Sequence, residues 1–186
     1  MIKPWKVLSS ETVISDRFLT HRMDVCERAD GHIIERYHAI EYPEWTIVIP
    51  LTDEGNLVLI TEYRHPGGVV LTGLPGGGAE PGETDFAGVA RRELVEETGY
   101  IPRDIMQIGQ CYPNPATQTN QIRYFLALGC APTGEQSLDP NEDIEVLEMP
   151  LDEYLAYESA DVQHSHHAAG LYYLHRFFLK YPEFKP

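Results

Sequence analysis

The amino-acid sequence predicts an α+β fold, an α/β/α sandwich built around a mixed sheet. Three observations carry the prediction. Apolar runs of strand length recur through the chain, two helix-length segments lie far apart near its middle and end, and the two kinds of segment do not alternate as regular βαβ units. A chain of 186 residues suits one globular domain with a small extra layer.

The first forty residues read as strands. Arg22 to Arg28 and His32 to Ile40 flank Ala29-Asp30-Gly31, and Asp-Gly between such runs signals a hairpin. Residues 1–42 are therefore expected to form an N-terminal strand layer, with the main domain over 43–186. Trp45 to Leu51 and Leu57 to Tyr63 follow, joined through Thr52-Asp53-Glu54-Gly55-Asn56. Their richness in Val, Ile and Leu predicts central strands buried on both faces. Leu71 to Glu83 is dense in glycine (Gly73, Gly76, Gly77, Gly78 and Gly82) and reads as a loop. It ends at Thr84-Asp85, a helix cap, from which Phe86 to Thr98 reads as a helix closed by Gly99. Strands are expected at Asp104 to Cys111, Ile122 to Leu128 and Ile144 to Glu148. A short helix over Leu151 to Glu158 and a longer one over Ser165 to Lys180 complete the chain.

A formal charge of −15 without a cluster of Lys and Arg argues against nucleic acid as a partner. No apolar run is long enough to cross a bilayer, so no membrane partner is expected. The opening Met1 to Lys6 has no apolar core of an export signal. Cys26, Cys111 and Cys130 are scattered without a Cys-x-x-Cys pair, which fits reduced thiols in a cytoplasm.

Chemistry concentrates in Gly76-Gly77-Gly78-Ala79-Glu80-Pro81-Gly82-Glu83 and in Arg91-Arg92-Glu93-Leu94-Val95-Glu96-Glu97-Thr98-Gly99-Tyr100. On a helix advancing about 100° per residue, Glu93, Glu96 and Glu97 share one face. Their repulsion costs about 0.2–0.5 kcal/mol per pair, and a divalent cation offsets it naturally. Hard carboxylate oxygens suit Mg²⁺ or Mn²⁺, which in turn grip phosphate oxygens. Ala87, Ala90 and Leu94 occupy another part of the helix and can pack on a sheet. Glycines let the loop backbone approach a metal or ligand closely. An isolated Arg-Glu-x-x-Glu-Glu would read as an ordinary solvated helix; the glycine loop before it and Thr-Gly-Tyr after it change that balance.

The segment Gly77 to Tyr100 resembles the Nudix box, a glycine loop followed by a helix ending Arg-Glu-x-x-Glu-Glu-x-Gly. The resemblance implies the α/β/α sandwich and hydrolysis of nucleoside diphosphates linked to another moiety. It implies Glu93 and Glu97 as principal metal ligands and Glu96 as a ligand or proton handler. The Gly76 carbonyl is expected to add a ligand from the loop, Gly77 to border the substrate, and Arg92 to orient a neighbouring carboxylate. One departure stands: the usual box has seven residues between its first glutamate and the Arg-Glu pair, whereas Glu83 is followed by eight. Strict register puts Thr84 at that position, and a one-residue bulge would restore Glu83.

Beyond the box, the N-terminal strands and Glu62-Tyr63-Arg64 resemble the ADP-ribose and nucleotide-sugar pyrophosphatase branch. There the arginine matching Arg64 contacts substrate phosphates, a task for which a planar guanidinium is suited. Pro115, in Pro113-Asn114-Pro115, arrives at the distance past the box where this branch carries a proline. Leu138 to Val146 resembles the acidic loop and strand that bring a late carboxylate to the metals, and Glu142 aligns best with it. Trp5, Trp45, Tyr63 and Tyr112 are aromatics that could hold a base, with core or interface packing as the competing role; Trp45 is the one assigned to substrate. His164, His166 and His167 have the composition of a metal cluster but open the last helix, where packing explains them.

The chemistry so implied uses Mg²⁺, with Mn²⁺ as a possible substitute, held by Glu93, Glu96 and Glu97, with Glu142 joining on substrate binding. Either Glu142 or Glu96 takes the proton of the attacking water, and ADP-ribose would yield AMP and ribose 5-phosphate. The branch also implies a homodimer formed through the N-terminal strands. Two rivals stay open: a pyrophosphohydrolase of nucleoside triphosphates or dinucleotide polyphosphates, and a non-catalytic module that senses a nucleotide. The full glutamate set speaks against the sensor, and the N-terminal strands against compact triphosphate cleavers.

Overall fold

The computed structural model describes residues 2–157 and 164–186, which form two compact units. The first comprises the chain up to Glu44 together with Tyr112–Gln121. Its three-stranded antiparallel sheet has the order β1 (Lys6–Ser15), β2 (Thr20–Glu27), β3 (Ile33–Glu41). The Asp-Gly signal forms the β2–β3 turn: Gly31 adopts φ 79°, and its N–H donates to the Arg28 carbonyl at 2.9 Å. Tyr112–Gln121, expected within the main domain, packs in this unit. Ile40 N–H donates to the Thr117 carbonyl at 2.7 Å, and the Tyr37 hydroxyl donates to the Ala116 carbonyl at 2.8 Å. All ten residues of β1, an edge strand, are exposed.

The second unit contains β4 (Trp45–Leu51), β5 (Asn56–Arg64), β6 (Val69–Gly73), α1 (Phe86–Thr98), β7 (Tyr100–Ile101), β8 (Asp104–Cys111), β9 (Ile122–Leu128), β10 (Ala131–Pro132), β11 (Ile144–Pro150), α2 (Leu151–Tyr157) and α3 (Ser165–Lys180). Its main sheet has the order β11-β5-β4-β9-β8, with β6 also paired to β5; β4 and β9 run parallel and the other pairs antiparallel. The mixed sheet is the predicted one.

Alternation explains why its central strands read as unbroken apolar runs. Ile47, Ile49, Leu51, Leu57 and Leu59 pack with Leu151, Tyr154 and Leu174 from α2 and α3. Val48 and Val58 point the other way, onto Ala90 and Leu94 of α1. Successive strand residues face opposite sides, so a sheet covered on both faces needs apolar residues at every position. Burying each large aliphatic contributes about 1.5–3 kcal/mol. The Ala87, Ala90 and Leu94 face of α1 packs as expected.

Val69–Gly73, partly read as glycine loop, instead pairs with β5, where the Thr61 and Thr72 hydroxyls meet at 2.7 Å. The helix expected over Leu151 to Glu158 is described through Tyr157, and residue 158 lies outside the described residues.

Candidate active site

The glycine loop is laid along β4 by backbone bonds. Val48 N–H donates to the Pro75 carbonyl at 2.9 Å, Thr46 N–H donates to the Gly77 carbonyl at 2.8 Å, and Trp45 bridges Gly78. This seating is close. A Cβ at Gly76, whose φ is 154°, would stand 2.2 Å from the Thr46 carbonyl oxygen. A Cβ at Gly77 would stand 2.3 Å from Glu93 Oε2. Gly76 demands glycine because backbone atoms fill the space, whereas at Gly77 the atoms met are the end of the Glu93 side chain.

Helix α1 starts where Asp85 accepts from Gly88 N–H at 3.1 Å and ends at Gly99, φ 70°, whose N–H donates to the Val95 carbonyl at 2.9 Å. Between these caps, Glu93, Glu96 and Glu97 share the face turned to the loop. Glu97 is 6% exposed, and its Oε2 accepts the Gly76 N–H at 2.7 Å. Burial pushes its carboxyl up to about 8; the Gly76 N–H opposes the rise, and the charges of Glu93, Glu62 and Glu142 reinforce it. Burial likewise pushes Glu93 up to about 7, opposed by Arg92 and reinforced by Glu96 and Glu142. Glu62 on β5 is also raised by burial, opposed by Arg64 and reinforced by Glu142.

Arg92 braces this face. Its Nη1 lies 2.8 Å from Glu93 Oε1 and 3.0 Å from Glu96 Oε2, while Nη2 lies 3.5 Å from Glu83 Oε2. Glu83 Oε2 also accepts Glu80 N–H at 2.7 Å, so this glutamate fastens the loop to the helix despite the extra residue before Arg92.

Five carboxylates, Glu62, Glu93, Glu96, Glu97 and Glu142, are thus linked electrostatically, with Arg92 and Arg64 as the cations paired to them. Among the described residues, no three His, Cys, Asp or Glu side chains close into a metal cage. A hard divalent cation still fits the donors present, which are carboxylate oxygens in excess of positive charge. An ion such as Mg²⁺ keeps several waters and takes only one or two carboxylates, with substrate phosphates completing its shell.

The other expected residues fall as follows. Arg64 ends β5 and pairs with Glu62. Glu142 sits in the turn before β11, where its Oε2 accepts Asp139 N–H at 2.9 Å. Trp45 opens β4 beside the loop and packs partly against the core. Pro115 belongs to the first unit and lines a cavity there with Trp5, Tyr37 and Asp24. His164 and His167 stack with ring centroids 4.9 Å apart, and a Cβ at Gly73 would meet the His167 ring. Sequence reasoning passed over Glu62. Its signal was its place two residues before Arg64, which puts both on one side of a strand.

A NUDIX domain model matches residues 43–169, and a nucleoside diphosphate sugar hydrolase N-terminal domain model matches residues 5–39. An ADP-ribose pyrophosphatase of Bacillus subtilis (strain 168) is 29% identical over 171 residues, 91% of either chain. A GDP-mannose pyrophosphatase of Escherichia coli O9:H4 (strain HS) is 28% identical over 166 residues, 80% of this chain and 83% of the relative. The crystal structure of an ADP compounds hydrolase superposes with a TM-score of 0.82 at 22% identity, covering 97% of both chains.

Proposed function

The chain belongs to the Nudix family and is a Nudix hydrolase, and on that premise we propose that it hydrolyses the pyrophosphate of nucleoside diphosphate sugars, ADP-ribose foremost, to AMP and ribose 5-phosphate. The observation that carries the reading is the seating of the glycine loop on the glutamate face of α1, where Glu97 accepts the Gly76 N–H and the Glu93 carboxylate fills the space beside Gly77. The relatives' substrates and the N-terminal match to nucleoside diphosphate sugar hydrolases favour a diphospho-sugar over a triphosphate.

Glu93, Glu96 and Glu97, with the Gly76 carbonyl and then Glu142, would hold Mg²⁺ or, in its place, Mn²⁺. When bound, the cation neutralises the pyrophosphate oxygens and lowers the pKa of water. The protein does the rest. The Gly76 N–H fixes the orientation of the Glu97 carboxylate, and Arg92 orients Glu93 and Glu96. Arg64 exchanges its pairing with Glu62 for a phosphate oxygen of the substrate. Gly77 leaves room for the Glu93 carboxylate against the loop, and Trp45 is assigned to the substrate's organic groups. Glu142 or Glu96 accepts the proton of the attacking water.

We read the working form as a homodimer. The support is β1, an edge strand whose Val7, Leu8, Val13 and Ile14 are exposed, a surface that proteins normally cover. A cytoplasmic site is supported by three free cysteines.

The test is a substrate panel with Mg²⁺: ADP-ribose, nucleotide-hexoses and nucleoside triphosphates. Nucleoside monophosphate release from the diphospho-sugars, fastest with ADP-ribose, is the expected outcome. Turnover of triphosphates alone would overturn the substrate class.

A further inference from the structure

An α-helix leaves its last carbonyls without intrahelical partners. In α1 those carbonyls follow directly on the carboxylate face, and the chain leading into β11 supplies their donors. Ser137 N–H donates to the Glu96 carbonyl at 2.8 Å. Gln136 Nε2 donates to the Glu97 carbonyl at 2.6 Å. Thr133 donates to the Gly99 carbonyl through its N–H at 2.7 Å and its hydroxyl at 2.8 Å. The fit is tight enough that a Cβ at Gly99 would stand 3.2 Å from the Glu135 carbonyl oxygen. Residues 133–137 therefore cap α1 from outside the helix.

Gln136 does one thing more. The same Nε2 also donates to the Ile144 carbonyl at 3.2 Å, at the first residue of β11. Residues 137–143 are thus a loop whose two ends are pinned to α1 by one amide group. Within it, Glu142 N–H donates to the Asp139 carbonyl and Asp139 N–H donates to Glu142 Oε2, both at 2.9 Å. Glu142 is two residues from the Gln136–Ile144 bond.

We propose that Gln136 is a positioning residue: by bonding the Glu97 and Ile144 carbonyls together, it fixes the 137–143 loop to the glutamate helix and sets the reach of Glu142 toward Glu93 and Glu97. The proposal rests on the reading that Glu142 serves the reaction. Its chemistry needs an NH₂ group, since both partners are carbonyl acceptors and only a donor with two hydrogens satisfies both. Without it, two carbonyls lose their partner and the loop ends separate, while the fold's apolar layers, which Gln136 does not join, persist.

The test combines kinetics with amide hydrogen exchange on the full chain. Gln136→Met keeps the side-chain length without the donors, and Gln136→Ala removes both. Each is expected to lower kcat for ADP-ribose with Mg²⁺ about tenfold, with KM little changed. Neither should lower it further in a Glu142→Gln background. In the metal-free protein, exchange at residues 137–144 should quicken in both variants while that of β4 and β5 stays as in the wild type. Losses that multiply with Glu142→Gln, or exchange that does not change, would overturn the proposal. If Glu142→Gln turns over like the wild type, the reading of Glu142 fails and the kinetic role of Gln136 fails with it; the exchange result still decides separately whether the tether exists.

Discussion

Gly77 shows how one missing methyl group sets the site. A Cβ there would meet the Glu93 carboxylate at 2.3 Å, and the flexible end of that glutamate is what would move. Gly77→Ala should therefore leave the fold standing, with an unfolding temperature within a few degrees of wild type, and lower turnover by more than about tenfold through displacement of Glu93. Thermal melts and steady-state kinetics on the same preparation check this; equal damage to both, or unchanged turnover, would show that the contact is not what matters. Glycine, Glu93, Glu96 and Glu97 were legible in the sequence because local spacing fixes them on one loop and one helix face. Glu62 and Gln136 were not. Their roles come from partners brought near by folding: Glu142 for Glu62, and the Glu97 and Ile144 carbonyls for Gln136.

At the level of elements, α1 was readable to its ends because its caps are local: an Asp accepting from the N–H three residues on, and a Gly in the left-handed region. β6 was not, because five residues ending in glycine become a strand only through pairing with β5. The start of α3 makes a prediction of its own. Burial pushes His167 down to about 3 and His166 to about 4, with His164 and Arg64 as like-charged neighbours. Below pH about 6.5 the unfolded chain protonates these rings while the folded chain does not, so stability falls as pH falls, by up to about 1.4 kcal/mol per pH unit per ring. The raised carboxyls of Glu93 and Glu97 act in the opposite sense, so the readout is a difference between proteins. His167→Gln should show a shallower loss of stability between pH 6.5 and 4.5 than wild type in denaturant titrations. Parallel curves would contradict the burial of a neutral imidazole.

Across the whole molecule, the sandwich was legible because a sheet covered on both faces writes itself as apolar strands at every position, and the box placed the glutamate-bearing helix against it. The membership of Tyr112–Gln121 in the N-terminal unit was not, because backbone bonds to Ile40 and the Tyr37 hydroxyl bond join segments some seventy to eighty residues apart. Nor does the sequence announce that every residue of β1 is exposed, the feature on which the proposed homodimer rests. Light scattering should give a mass of twice the 21.1 kDa of one chain, and Val13→Asp with Ile14→Asp should shift it toward the monomer; a monomeric wild type would contradict the dimer. Hydrolysis of a nucleotide-sugar pyrophosphate is proposed for a carboxylate helix that faces a glycine loop. It is tested most directly by AMP release from ADP-ribose, measured over a Mg²⁺ series for wild type and Glu97→Gln side by side. Mg²⁺-dependent AMP release by the wild type is expected, reduced in the variant beyond the about 10–100-fold that partners of metal ligands typically cost. Equal release from both proteins, or release indifferent to Mg²⁺, would contradict it.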